Sequence, residues 1–492
     1  MPTPAQTRDR ALPLLLILGV AVACVAISSQ SFWIDEAGSA VISLQPTLRD
    51  AWNALYAEHS SNMQLPLHFI YFRIWSDIFG GSEYAFRASN LPWFFLGFFS
   101  ILHFLRRNLP FRDVTLLVFC LHPFIWYYLN EARPYAMELS GAMLVCGALY
   151  QAMERPDELL PASWWWLYAF GLVILCGSTL VGVPWAGCVT LLLITLPGFR
   201  RSVARAVIPA LVFVPLLLLL AVYFAWTFKE KVRNAYLPTT FASALSVFYE
   251  LLGFVGLGPG RNDLRIHSVS AIRPYLLPLA CLAIPLAAGL AFACRRRFGL
   301  SRRQLGSLLL VAGIPTALTL TLGVLRHARM LARHFTPLFP FLLAAVACAV
   351  LLLWKKGGLP GRIAAGLIVI CLACSSVEIR FAARHKRDDY RSAAAAARDT
   401  LAQGKTVWWA ADPAGAIYYH VPISSRGEVP AEALSTYALP PKFTSPPDEI
   451  VLSKPDLFDF DGSIAAFIAS HHYIQVARLQ SFTIWVKPPA GA

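Results

Sequence analysis

A succession of about eleven apolar runs, each near the ~20 residues that an α-helix needs to cross a bilayer, constrains this chain more than any single motif. The runs lie near residues 11–29, 87–105, 114–130, 134–152, 164–181, 183–198, 206–226, 274–293, 305–324, 335–353 and 361–377. No water reaches the hydrocarbon layer to satisfy backbone amides, so a spanning segment must bond within itself or close into a barrel. Runs of this length point to helices. Hydrophobic residues make up 57% of the 492 residues and charged residues 14%, against ~25% charged in a soluble domain. The expected fold class is an all-α polytopic membrane protein with about eleven transmembrane helices.

Charge orients the runs. A net charge of +14 would suggest nucleic acid in a soluble protein. Here Lys and Arg gather in alternate short connections, as the positive-inside rule expects, and no nucleic-acid partner is predicted. The groups are Arg8 with Arg10; Arg106, Arg107 and Arg112; Arg200, Arg201 and Arg205; Arg295, Arg296, Arg297, Arg302 and Arg303; and Lys355, Lys356 and Arg362. All fall on one side if the N-terminus is cytoplasmic. The connection at 153–163, with Glu154, Asp157 and Glu158, does not fit. The first run follows basic residues as a signal peptide would, but it is long and an acidic motif follows at once. It is read as an uncleaved membrane helix.

The parity depends on "LPLHFIYFRIWSDIFG", residues 65–80, which is short for a span and carries Arg73 and Asp77. Counting it as a crossing would put the basic 106–113 connection outside, so it is read as an interfacial helix. A first external loop then covers 30–86, with a second interfacial helix in "PTLRDAWNALYAEH". Residues 1–377 form the membrane domain. Residues 378–492 have the composition of a small α/β domain, outside the membrane if the spans are odd in number. Its expected helices are "DDYRSAAAAARDTLAQ" and "GSIAAFIASHH", and its expected strands are "KTVWWAA", "EIVLS" and "FTIWVKP". The Pro- and Ser-rich stretch between the first two strands reads as loop. The localisation expected is multi-pass in the cytoplasmic (inner) membrane, with the C-terminal domain extracytoplasmic.

Three constellations converge on the external face. Asp35 and Glu36, in "FWIDEAGSA", follow the first span directly. They are either solvated acids at a helix end or carboxylates whose partial desolvation raises their basicity toward that of a general base. Glu131 and Arg133, in "WYYLNEARPYAMEL", occupy a very short loop between two spans, with Pro134 suited to open the next helix. The bland alternative is a local ion pair beside an aromatic belt of Trp126, Tyr127 and Tyr128. Arg326, His327, Arg329, Arg333 and His334 break the positive-inside trend and ask for an anionic partner, either a phosphate or lipid headgroups. Spacings of three and four would put the three arginines on one face if the segment is helical. Lys229, Lys231 and Arg233 add positive charge. All ten Cys lie in or beside apolar runs, so neither a disulfide framework nor a Cys metal site is readable. His59 and His68 have no metal-ligand spacing with the acids. No metal ligand and no cofactor is assigned, and dependence on a divalent metal is left open.

Taken in order, "FWIDEAGSA", "QLPLHFIYFRIWSDIFGGSEYAFRASN", "NEARPYAMEL" and "ARHFTPLFPFLLA" resemble the GT-C glycosyltransferases. Within these the series is similar to the dolichyl-phosphate-mannose protein mannosyltransferases and the aminoarabinose transferases of lipid A. The resemblance spans most of residues 30–350 and is specific as a series. It implies a GT-C fold and a polyprenyl-phosphate sugar donor used at the outer membrane face, with a lipid, glycan or protein as acceptor. It carries catalytic roles to Asp35, Glu36 and Glu131, and substrate-binding roles to Arg133, Tyr135, Arg329 and Arg333. Its late arginine motif continues through Phe335, Pro337 and Pro340. Where members often have Pro-Pro-Leu-Tyr, this chain has Leu65-Pro66-Leu67-His68, so His68 enters the substrate-binding set by position alone. The mechanism implied has Asp35 as base and Arg333, aided by Arg329 or Arg133, on the leaving phosphate. Rival classes are a transporter or lipid flippase, which would place ionisable groups near the bilayer midplane, and an O-antigen-ligase-like enzyme with its chemistry in a large late loop.

Overall fold

The computed structural model describes residues 11–58, 60–229, 239–424, 432–435 and 446–488. His59, Lys231, Arg233 and most of the expected loop between the first two strands lie outside the described residues. The chain forms two compact units. One comprises Met1–Ser28, Leu55–Asp77 and Arg87–His385; the other comprises Ser29–Ala54, Ile78–Phe86 and Lys386–Ala492.

In the first unit every expected apolar run holds a helix. Five helical stretches are long and apolar enough to cross a bilayer alone: Val203–Lys229, Val269–Arg295, Arg302–Leu325, Ala332–Lys356 and Gly358–Phe381. The run expected near 114–130 is a pair of helices, Leu109–Leu121 and Pro123–Leu129, bent by 54°, either a broken span or a re-entrant loop. Pro123 explains the break. Its ring excludes a backbone donor, and His122 before it takes extended backbone (ψ 127°) and caps the second piece through Nδ1, which accepts from Phe124 N–H at 3.2 Å. The helices Leu12–Ala26, Leu91–Phe104, Ala162–Ser178 and Gly182–Ile194 are shorter. At 1.5 Å per residue they fall below the ~30 Å hydrocarbon layer.

The helix Tyr135–Glu154 is buried along most of its length. It packs so closely on Ala162–Ser178 that a Cβ added at Gly141 would come within 2.6 Å of Leu175 N, and one at Gly171 within 2.8 Å of Leu144 Cβ. Small residues that let backbones approach are how helices associate in lipid, where the hydrophobic effect offers little. By contrast Leu211, Leu218, Leu219 and Val222, on the helix Val207–Lys229, are more than half exposed, as side chains facing acyl chains are. The chain is a multi-pass membrane protein.

Hydrogen bonds tie several helix ends together. Arg87, fully buried, donates from Nη1 to Ser28 O at 3.0 Å, and Asn130 Oδ1 accepts from Ser28 N–H at 2.8 Å. Residues 28, 87 and 130 therefore share one end of this unit, and the chain between 28 and 87 leaves and returns without a net crossing. The helix Pro66–Phe79 is not among those long and apolar enough to cross a bilayer alone. At the same end Arg380 Nε donates to Val25 O at 2.8 Å. The ends of the first and last apolar helices thus lie together.

The acidic 153–163 connection finds its explanation at the opposite end. Glu158 pairs with Arg107 at 3.2 Å and also with Arg155, and Asp157 pairs with Arg201 at 3.5 Å. Arg155 beside it holds the Glu158 carboxyl below its ordinary range. Its acids neutralise basic residues from the two neighbouring loops. Such exposed pairs stabilise little, but they show that the three connections lie together.

The second unit contains a six-stranded sheet ordered β2-β3-β1-β4-β6-β5, with β1 Val407–Ala410, β2 Ile423–Ser424, β3 Ala433–Ser435, β4 Glu449–Ser453, β5 Ile474–Leu479 and β6 Phe482–Val486. The β1–β3, β1–β4 and β2–β3 pairs are parallel; β4–β6 and β5–β6 are antiparallel. Alternation along β1 sends Trp409 into one core layer with Tyr390 and Phe482, and Trp408 into the other with Phe467 and Tyr473. The expected helices and three strands are present. β2, β3 and β5 were not expected: β2 and β3 are strands of two and three residues at the start of, and within, the stretch read as loop, and "IQVARL" is a largely exposed edge strand without an apolar face. The helix Ile34–Ser43, which carries Asp35 and Glu36, belongs to this unit and packs on the helix Pro413–Tyr418.

Candidate active site

The turn "NEARP" joins the helix Pro123–Leu129 to Tyr135–Glu154 and is wholly buried. Glu131 and Arg133, expected in a very short loop between spans, are 1% and 3% exposed. Asn90 holds the turn from below, its Nδ2 donating to the carbonyls of Leu129 at 3.1 Å and Glu131 at 2.6 Å. These carbonyls end the preceding helix and have no partner within it, so the amide replaces water that burial excludes. Arg133 N–H closes the turn on Glu131 O at 2.7 Å.

Arg133 reaches into the short helical turn Ser61–Gln64, where Nη1 donates to Asn62 Oδ1 at 2.6 Å. Beside it, on the helix Pro66–Phe79, His68 is 4% exposed and stacks on Phe72 at 4.4 Å. This helix lies outside the spans. Burial, and secondarily the Arg133 charge, push the His68 pKa well below its ordinary value, so the ring is neutral. Its Nε2 is buried without a hydrogen-bond partner among the described residues. A neutral imidazole with one open nitrogen can donate to, or accept from, a bound hydroxyl.

The late arginine motif enters from the other side. The segment 326–331 is turn and irregular chain, and Ala332–Leu338 is a short 3-10 helix. The three arginines therefore do not share one helical face. Arg326 and Arg329 are exposed, whereas Arg333 is half-buried. Its guanidinium lies 5.9 Å from the Tyr135 ring, within cation–π range, and Tyr135 packs edge-on against Tyr128 at 5.1 Å. The aromatics expected as an interface belt thus also form a buried wall, continued by Phe124 stacked on Phe339 at 4.8 Å. The structure brings together Arg133, Tyr135, His68 and Glu131 on this unit, with Arg333 on the Tyr135 ring. Arg329 stands apart on the exposed turn. No group of three or more His, Cys, Asp or Glu able to hold a metal occurs among the described residues.

Two buried charges went unread in the sequence. Glu138 is fully buried on the first turn of the helix Tyr135–Glu154 and accepts from the Thr179 hydroxyl. It stands three residues after Tyr135 and seven after Glu131, a helical spacing that was visible. Arg87 had no such signal, because its partner is a backbone carbonyl 59 positions away.

Asp35 and Glu36 sit in the first turn of Ile34–Ser43 in the second unit, and their environments differ. Glu36 is fully buried and accepts from Trp33 N–H at 3.4 Å, capping the helix. Its carboxylate is occupied with a backbone donor that the helix leaves open. Asp35, one position earlier, is half-buried. Of the two acids, Asp35 is the more exposed.

No family profile matches the chain, and no curated protein does. Among solved structures it is similar to ArnT from Cupriavidus metallidurans in the apo state, with TM-score 0.54 at 14% identity over 96% of this chain and 97% of that one. It is likewise similar to ArnT from the same organism bound to undecaprenyl phosphate, with TM-score 0.53 at 13% identity over 98% and 99%. This is a GT-C fold. At this identity the likeness is one of fold. It runs over nearly the whole length of both chains.

Proposed function

We propose that this chain is an inverting glycosyltransferase that takes a sugar from a polyprenyl-phosphate donor at the outer face of the cytoplasmic membrane. One observation carries the reading. Arg133 and Arg333 flank Tyr135 at the helix end where residues 28, 87 and 130 also gather, in a fold shared with a protein crystallised with undecaprenyl phosphate. A lipid phosphate is anchored at the membrane surface by its tail, and arginine's planar fork is the side chain best matched to its oxygens.

In this reading Asp35 accepts the proton from an acceptor hydroxyl or amine. The freed oxygen or nitrogen bonds to the anomeric carbon as the carbon–oxygen bond to phosphate breaks, and the electron pair leaves with the polyprenyl phosphate. One displacement inverts the centre. The leaving phosphate gains negative charge, which Arg333 and Arg133 stabilise from fixed positions; such positioned charge is often the largest catalytic contribution. Asp35 supplies a further ~10²–10⁴-fold by base catalysis. Glu36 holds the turn that carries Asp35. His68 offers its neutral nitrogen to a donor or acceptor hydroxyl, and Glu131 shapes the buried turn beside Arg133. Residues 1–377 serve as the membrane transferase domain, and residues 378–492 form an extracytoplasmic domain.

Membranes containing the protein, given a radiolabelled polyprenyl-phosphate sugar, should release label to an envelope acceptor and leave polyprenyl phosphate behind. Movement of intact donor across the bilayer without loss of the sugar would instead identify a flippase.

A further inference from the structure

In the second unit a tyrosine hydroxyl holds the backbone just before the acid-bearing turn. Tyr419 follows the helix Pro413–Tyr418, which begins with Pro413 and is capped by Asp412 Oδ1 accepting from Ala414 N–H at 2.9 Å. Trp409 Nε1, at the end of β1, donates to Asp412 O at 3.1 Å and fixes this helix to the sheet. At its far end the Tyr419 hydroxyl accepts from Phe32 N–H at 2.9 Å and donates to Glu83 Oε1 at 2.8 Å. Arg391 completes the arrangement, with Nε donating to Glu83 at 3.1 Å and its backbone N–H to Ser31 Oγ at 3.1 Å. Burial raises the Tyr419 pKa to about 12, so the hydroxyl keeps its proton. Phe32 itself is fully buried against Tyr418, 4.9 Å between rings. Phe32 stands three residues before Asp35 and directly precedes Trp33, whose N–H Glu36 caps.

We infer that Tyr419 is a positioning residue for Asp35: the C-terminal α/β unit fixes the backbone at Phe32 through its hydroxyl and so sets where the first turn of Ile34–Ser43 presents its carboxylate. The inference rests on the reading of Asp35 as the base. It gives the C-terminal domain a task in the reaction itself. A displacement of about 1 Å in a catalytic group can cost ~10²-fold, so the loss of one anchoring hydrogen bond is expected to show in turnover before it shows in folding.

The test compares Tyr419→Phe with Tyr418→Phe in the full-length protein reconstituted in lipid nanodiscs. Tyr418 is the control because its hydroxyl donates to Gly81 O at 2.7 Å, outside the acid-bearing turn. Both variants keep their rings. Amide exchange of the peptide over residues 29–36 should accelerate about tenfold in Tyr419→Phe, the factor that one net hydrogen bond corresponds to. Its kcat should fall about tenfold at unchanged KM for the donor. Tyr418→Phe should change kcat less than about twofold. Unaltered exchange at 29–36 in Tyr419→Phe overturns the positioning role whatever Asp35 does. Faster exchange with unchanged kcat overturns it as well, since the turn would then be loose without consequence. Asp35→Asn, measured in parallel, reports separately on the base: near-wild-type turnover there refutes the base reading, while the exchange result stands independently.

Discussion

Replacing Arg333 separates a phosphate ligand from a headgroup-facing arginine. Its side chain is half-buried and lies 5.9 Å from the Tyr135 ring. The segment around it is held by bonds that the substitution leaves intact. Thr336 Oγ1 donates to the backbone oxygen of residue 333 at 2.8 Å, and Leu331 N–H donates to His334 Nδ1 at 3.1 Å. Arg333→Ala should therefore fold, the lost Tyr135 contact being on the scale of ~1 kcal/mol. A hydrogen bond to a charged group contributes ~1.5–3 kcal/mol, which is roughly 10- to 150-fold in affinity. Arg333→Lys keeps the charge and loses the fork, so about three- to tenfold is expected. Arg326→Ala, on the exposed turn, should stay within about twofold. The assay is titration of purified protein in nanodiscs with polyprenyl phosphate, following intrinsic tryptophan fluorescence. Unchanged affinity in Arg333→Ala would refute the phosphate assignment and leave contact with lipid headgroups.

Glu36→Ala should cost ~1–2 kcal/mol of stability through the lost cap, and Glu36→Gln much less, since an amide oxygen still accepts from Trp33 N–H; thermal unfolding in detergent measures both. His68 is neutral in the folded protein while its unfolded pKa is near ~6.5, so the unfolded state binds the extra proton below that pH. The stability this group contributes is present above pH ~6.5 and lost as pH falls, by up to ~1.4 kcal/mol per pH unit, and a His68→Asn variant should show a shallower acid-side decline. A reporter fused after Ala492 should be active only outside the cytoplasm, and activity only inside would reverse the orientation.

Much of the membrane architecture was legible because bilayer thickness writes itself into run length. The interfacial reading of residues 65–80 rested on one charge argument, the placing of the basic 106–113 connection. The misfit 153–163 connection illustrates what charge counting misses: its acids are explained by partners 50 or so residues away, such as Arg107 at 51 positions from Glu158. The break at His122 was foreshadowed only by Pro123. The supposed arginine face failed because the helix Arg302–Leu325 stops just before Arg326, and spacing speaks only where a helix exists. Least legible was the membership of Asp35 and Glu36 in a unit built with residues beyond 386. That pairing depends on a hydrogen bond between residues 32 and 419, and no local pattern encodes it.

The most direct test of the account is single-turnover transfer by purified wild type and Asp35→Asn, each saturated with a polyprenyl-phosphate sugar and supplied with an envelope acceptor extract. Wild type should release polyprenyl phosphate with inversion at the anomeric carbon. Asp35→Asn should bind the donor with unchanged affinity and release it ~10²–10⁴-fold more slowly, the contribution of a general base. Turnover by Asp35→Asn above about a tenth of the wild-type rate would contradict the account, as would retention of configuration in the product.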